Sequence, residues 1–240
     1  MDAGALRVRY ITSEGQEQET SLASVDGRCL AEGSPVRIPP SYVGQSNYPG
    51  LFWSATNGGH VWYESLLELT WLWLADFDPR VRRITAQPFE LAGRDGERDR
   101  TRFPDFLVID EHDETRVIDV KPERMLDKPE VRASLNWTGH AIGARGWRYE
   151  VWSGAHPTTL RNVRLLAVAR RPGIVPTSVV DSVVAACPAT GTTLGELERS
   201  ARAAAMIGNP RIAVFAALWR GELTCDLRAP IDARTLVRAA

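Results

Sequence analysis

The clearest pattern lies in two segments, Arg102-Phe-Pro-Asp-Phe-Leu-Val-Ile109 and Arg116-Val-Ile-Asp-Val-Lys-Pro-Glu123. Both are rich in β-branched and aromatic residues, and the charged stretch from Asp110 to Glu114 separates them, so they predict two adjacent strands joined by a short turn. Because strand side chains alternate between faces, we expect Asp119 and Lys121 on one face. Charged groups at the end of a buried hairpin are costly to desolvate unless they bind each other or a metal ion.

A second pattern lies upstream, from Val61 to Asp76, where the sequence is apolar on nearly all sides and predicts a buried helix. Glu64 and Glu68 interrupt it four residues apart and are expected on one face of that helix. Like charges at this spacing do not stabilise each other, so the pair predicts a bound cation. A surface salt bridge at a strand end, without any chemistry, would explain Asp119 and Lys121 equally well.

The order of predicted elements indicates the fold class. Short strands over 81–91, with a break at Pro88, and a charged hairpin tip over 93–102 lead into the strand pair. A helix over 124–145 and a strand over 147–152 follow. Helix, three strands, helix and strand predict an α/β fold with a mixed sheet flanked by helices.

We predict three regions: an N-terminal extension over 1–54 packed on the core, a main domain over 55–172 and a C-terminal domain over 173–240. The extension should hold a strand over 6–11, a short strand at 28–30 and a loop over 35–50.

The C-terminal region predicts helices over 177–186, 193–205 and 210–220, then a hairpin strand over 221–227. Thr193 and Glu196 have the spacing of a capping box. Three helices and a hairpin resemble a winged helix, although any small helical domain would fit the same pattern.

Composition sets broad limits on function. The 240 residues carry a formal net charge of −1, which argues against a protein that coats nucleic acid but less against a nuclease with only local basic groups. The three cysteines lie far apart without zinc-type spacing, as is typical of a reducing cytoplasm. With no signal-peptide pattern and no apolar run of about 20 residues, we expect a cytoplasmic protein without a membrane partner.

These motifs together resemble the PD-(D/E)xK nuclease superfamily and, within it, the TnsA family of endonuclease subunits of heteromeric transposases. The resemblance is specific over roughly residues 55–155 and loose over 174–240; it rests on Glu64-Ser-Leu-Leu-Glu68, Phe77-Asp-Pro79, Gln87-Pro-Phe89, Phe103-Pro-Asp-Phe106 and Asp119-Val-Lys-Pro122. It implies a restriction-endonuclease-like core with a winged-helix-like C-terminal domain. It also implies Mg²⁺-dependent hydrolysis of a phosphodiester at the 5′ side of transposon ends.

Carried onto this sequence, the resemblance implies that Glu68, Asp105 and Asp119 hold Mg²⁺ or Mn²⁺ and that Lys121 acts on the attacking water. The Val120 carbonyl would add a ligand. Glu64 is the alternative to Glu68, and Gln87 would support the site or pack the strand. The chemistry agrees, because oxygen ligands suit these hard cations and phosphodiester hydrolysis needs charge stabilisation.

The implied partners are the DNA of the transposon ends, a transposase subunit and an ATPase regulator. The basic side chains that could hold the DNA backbone, or that are merely solvated, are Arg98, Arg100, Arg102, Lys128 and Arg132. Two alternatives stay open. One is a restriction-type or repair nuclease of the same fold, and the other is a catalytically inactive DNA-binding scaffold.

Overall fold

The computed structural model describes residues 1–37, 48–205 and 209–240, without the side chains of Ala204 and Ala205. Contacts divide the chain into two units, the first made of Met1–Ala75 and Arg80–Gly154 and the second of Asp76–Pro79 and Ala155–Ala240. Both units contain helices and strands, so the protein is of mixed α/β class.

The elements of the first unit run in the order β1 (Arg7–Ile11), β2 (Glu17–Ser21), α1 (Gly27–Glu32), β3 (Gly50–Ser54), β4 (Gly59–Tyr63), α2 (Leu66–Phe77), β5 (Val81–Ala86), β6 (Glu90–Asp95), β7 (Arg98–Arg102), β8 (Phe106–Asp110), β9 (Thr115–Val120), α3 (Glu123–Leu126), α4 (Pro129–Ala144) and β10 (Arg148–Trp152).

The central sheet has the strand order β10-β9-β8-β5. β8 pairs antiparallel with both β5 and β9, whereas β10 pairs parallel with β9, so the sheet is mixed as predicted. A parallel pair needs a crossover connection, and α4 supplies it between β9 and β10. The predicted strand pair is confirmed by the register Phe106↔Ile118, and Asp113, with φ of 62°, turns the chain between the two strands.

Helices cover both faces of this sheet because its strands alternate two sets of apolar side chains. Phe106 and Ile118 pack in one buried cluster with Trp71 of α2, whereas Leu107 and Val117 pack in another with residues of α4. Burying a large apolar side chain stabilises the fold by about 1.5–3 kcal/mol, so each face contributes substantially. The predicted break at Pro88 separates β5 from β6.

The N-terminal residues are part of this architecture. β1 pairs with β6 in a second sheet of order β2-β1-β6-β7, and Leu6, Val8 and Leu22 lie in the buried cluster that includes α4. The short strand predicted at 28–30 is wrong: these residues belong to α1, because Asp26 accepts a hydrogen bond from the Arg28 N–H at 2.9 Å and starts a helix. Most of the loop predicted over 35–50 lies outside the described residues.

The helix predicted from Val61 begins later, at Leu66. Residues 59–63 form β4 instead, which pairs antiparallel with β3. The strand ends at Tyr63, and Ser65 then starts the helix, since its Oγ accepts the Glu68 N–H at 3.2 Å. Glu64 therefore precedes α2, and the predicted placement of both acids on one helix face is wrong.

The second unit contains α5 (Pro157–Leu166), α6 (Thr177–Ala185), β11 (Thr192–Thr193), α7 (Leu194–Ala205), α8 (Pro210–Trp219), β12 (Leu223–Cys225) and β13 (Leu236–Ala239). The three predicted helices are confirmed within one or two residues at their ends. The strands form a small sheet of order β11-β13-β12.

α5 belongs to the second unit, although the sequence placed residues up to 172 in the main domain. The buried Asn162 of α5 explains this, because its side-chain amide donates to the carbonyl oxygens of Leu227 and Ala229 at 2.9 and 2.7 Å. Across the ranges that the structure describes, no helix has both the length and the apolar character that a membrane span requires.

Candidate active site

A groove of about 350 Å³ lies where β8 begins and β9 ends. Segments distant in sequence contribute to it: residue 37, the start of α2, the link between β7 and β8, and the end of β9. The lining residues are Arg37, Glu64, Ser65, Leu67, Glu68, Thr101, Arg102, Phe103, Asp105, Val120, Lys121 and Pro122. Of the four side chains predicted to be catalytic, Glu68, Asp105 and Lys121 lie here together.

Glu68 lies in the first turn of α2 and is 7% exposed. Its carboxylate accepts hydrogen bonds from the Glu64 N–H at 2.8 Å and from the Ser65 hydroxyl at 2.9 Å. With the bond from the Glu68 N–H to Ser65 Oγ, this is a variant of the capping box, in which the glutamate accepts the N–H of the residue before the capping serine. Local hydrogen bonds therefore fix the Glu68 side chain at the groove.

Asp105 and Lys121 are in direct contact. Asp105 Oδ2 accepts the Lys121 ammonium at 3.0 Å and the Val120 N–H at 2.7 Å. The ammonium also donates to the Val120 carbonyl at 3.1 Å. Asp105 thus joins the start of β8 to the end of β9, and it brings Lys121 to the groove.

Asp119, the fourth predicted residue, is completely buried and is not among the groove lining. Its Oδ2 accepts from Arg102 at 3.1 Å and from the Tyr149 hydroxyl at 2.5 Å. Its Oδ1 is buried and has no hydrogen-bond partner among the described residues. Tyr149 could not be identified from a sequence pattern, because its contact with Asp119 joins positions 30 residues apart on neighbouring strands.

The alternation of β9 explains why Asp119 lies apart from Glu68. Asp119 shares the face of Val117, which packs in the cluster with α4, whereas Ile118 and Val120 face α2. The Tyr149 ring packs against that same α4 cluster. The negative charge of Asp119 nevertheless acts on Asp105 and Lys121, which line the groove.

Burial and mutual repulsion perturb the acids of the groove. Burial, together with the charge of Asp105, raises the pKa of Glu68 to about 7. Burial also raises the pKa of Asp105, although Lys121 opposes this effect. The pKa of Lys121 is raised as well: burial opposes its charge, but attraction to Asp105 and Asp119 outweighs burial. The positive charge near Glu68 and Asp105 is therefore too small to offset the free-energy cost of burying them in the ionised form.

Formal charges make the same point. The groove lining, together with the Asp119 side chain that contacts it, carries four carboxylates and three cations. The carboxylates are those of Glu64, Glu68, Asp105 and Asp119, and the cations are Arg37, Arg102 and Lys121. The sum is one net negative charge. One divalent cation would reverse it to one net positive charge, which a phosphodiester would then neutralise.

The donor set fits Mg²⁺ or Mn²⁺ in its chemistry. In the part of the chain that the structure describes, no three acidic, histidine or cysteine side chains form a metal-holding group. Mg²⁺ does not need one, because it is usually held by one or two carboxylates, water and substrate phosphates. Glu68, Asp105 and the Val120 carbonyl supply such oxygens, and the unpartnered Asp119 Oδ1 is a further buried acceptor.

Two other residues, Arg37 in the groove lining and Gln87 beside it, support the site. Gln87 is 2% exposed, its N–H donates to the Asp105 carbonyl at 2.9 Å, and its side-chain oxygen accepts from Arg37 at 3.2 Å. Arg37 also donates to both carboxylate oxygens of Glu64 at 3.0 and 3.1 Å. Arg37 was missed because nothing local distinguishes one arginine in a predicted loop.

The basic residues proposed for DNA contact differ in their surroundings. Arg100 pairs with Asp95, and Arg102 pairs with the buried Asp119. Arg98, Lys128 and Arg132 are exposed. Of the five, only Arg102 lines the groove.

A wider groove of about 680 Å³ lies in the second unit, beside β12 and β13. Its acids are used locally, since Asp226 accepts from the Arg228 N–H at 2.8 Å and Asp232 from the Arg234 N–H at 2.7 Å. These carboxylates cap turns, so the groove of the first unit is the better candidate for chemistry.

Comparison with known protein families and with curated proteins finds no match to this chain. The assignment of function therefore depends on the geometry of the first-unit groove and on the motifs of the sequence.

Proposed function

We propose that this protein is a metal-dependent DNA endonuclease, the cutting subunit of a TnsA-like heteromeric transposase acting at the 5′ side of transposon ends. The observation that carries the proposal is the contact of Lys121 with Asp105 in the groove that also buries Glu68. Acids short of positive charge, beside a lysine, are the groups that metal-assisted phosphodiester hydrolysis requires.

In this proposal Glu68, Asp105 and the Val120 carbonyl hold Mg²⁺ or Mn²⁺, and Asp119 Oδ1 adds negative charge behind them. When bound, the metal polarises the phosphate and acidifies its bound water. Because its pKa is raised, Lys121 is protonated at neutral pH and acts as a cation that orients water and offsets phosphate charge.

The fold supports the same proposal. α2, the antiparallel strands β5, β8 and β9, then α4 and the parallel strand β10 follow the order helix, three strands, helix and strand that the resemblance to the PD-(D/E)xK superfamily implies. The metal-binding acids of that fold come from the first helix and the central hairpin, where Glu68 and Asp105 lie in this chain.

The second unit supports a winged-helix-like partner module. Its order α6, β11, α7, α8, β12, β13, with β13 between β11 and β12, agrees with the winged-helix-like domain that the resemblance implies. Residues 213–219 of α8 are buried, so this helix is poorly suited to reading a DNA groove. We propose that the unit docks a protein, the transposase or the ATPase regulator, in the cytoplasm.

The test is nicking of a supercoiled plasmid that carries transposon ends, with Mn²⁺, in the presence and absence of a transposase encoded by a neighbouring gene. The wild type should nick, and Asp105→Asn and Lys121→Met should not. Asp99→Asn is the matched control, because Asp99 is an exposed acid on β7. Equal nicking by wild type, Asp105→Asn and Lys121→Met would refute the proposal.

A second candidate is an inactive scaffold of the same fold. The pairing of Asp119 with Arg102 and Tyr149 favours it, because one oxygen of that carboxylate, Oδ2, is already held by partners within the protein. A scaffold should show no Mn²⁺-dependent rise in melting temperature, whereas the endonuclease should show one that Asp105→Asn removes. A restriction-type nuclease would instead cut without transposon ends.

A further inference from the structure

Arg37 lies at the rim of the candidate active site and is held there by three different contacts. Its Nη2 group donates to both oxygens of Glu64, and its Nε donates to Gln87. The guanidinium also lies over the Phe103 ring, 4.9 Å from the ring centre. A long flexible side chain is thereby fixed before any ligand binds.

The backbone fixes the same residue relative to Asp105. The N–H of Val36 donates to the Gln87 carbonyl at 2.9 Å, and the N–H of Gln87 donates to the Asp105 carbonyl at 2.9 Å. Gln87 adopts the left-handed conformation, with φ of 46°, which non-glycine residues seldom do. One unusual residue therefore connects the segment that carries Arg37 to the acid that contacts Lys121.

The guanidinium keeps donors for a ligand. It has five N–H groups, and those on Nε and Nη2 are used by Gln87 and Glu64. Among the described residues, none accepts a hydrogen bond from Nη1. The side chain is 46% exposed, so a ligand in the groove can reach it.

We propose that Arg37 binds a backbone phosphate of the DNA strand that enters the groove, and that the N-terminal segment thereby supplies part of the substrate-binding surface. This inference rests on the proposed endonuclease function. A guanidinium that lines the groove, and whose Nη1 has no acceptor among the described residues, suits a phosphate oxygen, since it offers a permanent positive charge and N–H donors together. Glu64 and Phe103 orient it, and Arg102 and Lys121 contribute the other positive charges of the groove.

The competing role for Arg37 is only to balance Glu64. The two roles differ in their salt dependence, because a phosphate contact releases condensed counterions whereas an intramolecular ion pair does not. Removing one phosphate contact should reduce the slope of log K against log salt by about 0.9.

The experiment measures binding of the full chain to a labelled 30-base-pair duplex in Ca²⁺ by fluorescence anisotropy, over a series of salt concentrations and with the partner transposase if the chain requires it. Arg37→Ala should bind roughly tenfold more weakly at low salt, with the reduced slope. Arg37→Lys should keep most of the slope. Arg7→Ala is the matched control, because Arg7 is 67% exposed on β1, pairs with Glu19 and does not line the groove.

A double variant separates the two roles. In a Glu64→Gln background there is no carboxylate to balance, so Arg37→Ala should still reduce the slope if Arg37 binds phosphate. Melting curves of each variant identify any that fail to fold, and Arg37→Lys then provides the comparison.

The outcomes distinguish this inference from the proposed function. If the wild type binds and cuts while Arg37→Ala has the slope of Arg7→Ala, the inference is overturned and the endonuclease stands. If the wild type binds through Arg37 but never cuts, the inference stands and the endonuclease is lost. If the wild type does not bind DNA, alone or with the transposase, both are overturned.

Discussion

The helices α2 in the first unit and α7 in the second begin with similar hydrogen-bonded motifs, yet the glutamates of the two motifs behave in opposite ways. Thr193 and Glu196 form a capping box, with a 3.1 Å bond from the Thr193 N–H to Glu196. Ser65 and Glu68 form its variant, in which Glu68 accepts the Glu64 N–H. The local chemistry is nearly identical, so it cannot be the cause of the difference.

The surroundings supply the cause. Glu196 is exposed, and the hydrogen bonds from Thr193 lower the pKa of its carboxyl. Glu68 accepts similar bonds, but burial and the charge of Asp105 outweigh them and raise its pKa to about 7. A capping acid is thus an ordinary structural residue in one helix, whereas in the other it is part of a cluster short of positive charge. The shortage of positive charge around Glu68, rather than the capping motif, therefore indicates a functional site.

The largest expected difference between the two glutamates is in catalysis. Glu68→Gln keeps the size of the side chain and an acceptor for the Ser65 hydroxyl but loses a negative ligand. We expect nicking to fall by roughly 10²–10³-fold, the range for losing one electrostatic group of an active site. Glu196→Gln should nick at the wild-type rate. Similar rates for the two variants in a plasmid assay with Mn²⁺ would remove Glu68 from the site.

Asp119 extends the comparison, because it is a buried acid that does have a cation, Arg102. Arg102→Met should leave this fully buried carboxylate with only the Tyr149 hydroxyl, at a cost of about 3–5 kcal/mol in the free energy of unfolding. The control is Arg94→Met, since the Arg94 side chain is 65% exposed on β6. Urea denaturation measures both, and a loss below about 1 kcal/mol for Arg102→Met would show that the ion pair contributes little.

Sequence motifs correctly predicted the strand pair, the placement of Asp105 and Lys121 near each other, and the capping box of α7. They did not predict the start of α2, although Ser65 and Glu68 have the same spacing as Thr193 and Glu196. Val61-Trp-Tyr63 is an apolar run that fits a helix or a strand equally well, and only its pairing with β3 makes it a strand.

The partners of the charged groups could not be predicted for a related reason. Arg37 reaches Glu64 and Gln87 across 27 and 50 residues, and Tyr149 reaches Asp119 across 30. Contacts of this kind depend on how strands are ordered in a sheet, which no short motif encodes. The residue types of the groove could therefore be predicted from the sequence. The balance of positive and negative charge in the groove could be determined only from the folded structure.

The pH dependence of stability sharpens the comparison further. The pKa of Glu68 rises from 4.5 to about 7 on folding, so the metal-free folded state binds this proton more tightly than the unfolded state. Stability should therefore fall as pH rises from about 4.5 to 7, by about 3 kcal/mol at most for this group, at about 1.4 kcal/mol for each pH unit. Glu68→Gln should remove that part of the slope in urea titrations.

Glu196 should contribute with the opposite sign. Because folding lowers the pKa of its carboxyl, its contribution is present above the unfolded-state pKa and is lost as pH falls through the folded-state value. Glu196→Gln should therefore make the protein relatively less stable near neutral pH than in acid. The same pH profile for both glutamine variants would contradict the contrast between the two sites.

The smallest expected effect is on the caps themselves. Ser65→Ala and Thr193→Ala each remove the side-chain oxygen that accepts a helix N–H, and each should lower the free energy of unfolding by about 1 kcal/mol. Ser65→Ala also removes a hydrogen bond that favours the ionised Glu68, so the pKa of Glu68 should rise further. Mn²⁺ binding near neutral pH should then weaken in Ser65→Ala and stay unchanged in Thr193→Ala. Calorimetric titration with Mn²⁺ measures this, and equal affinities would mean that the Ser65 hydroxyl serves the helix alone.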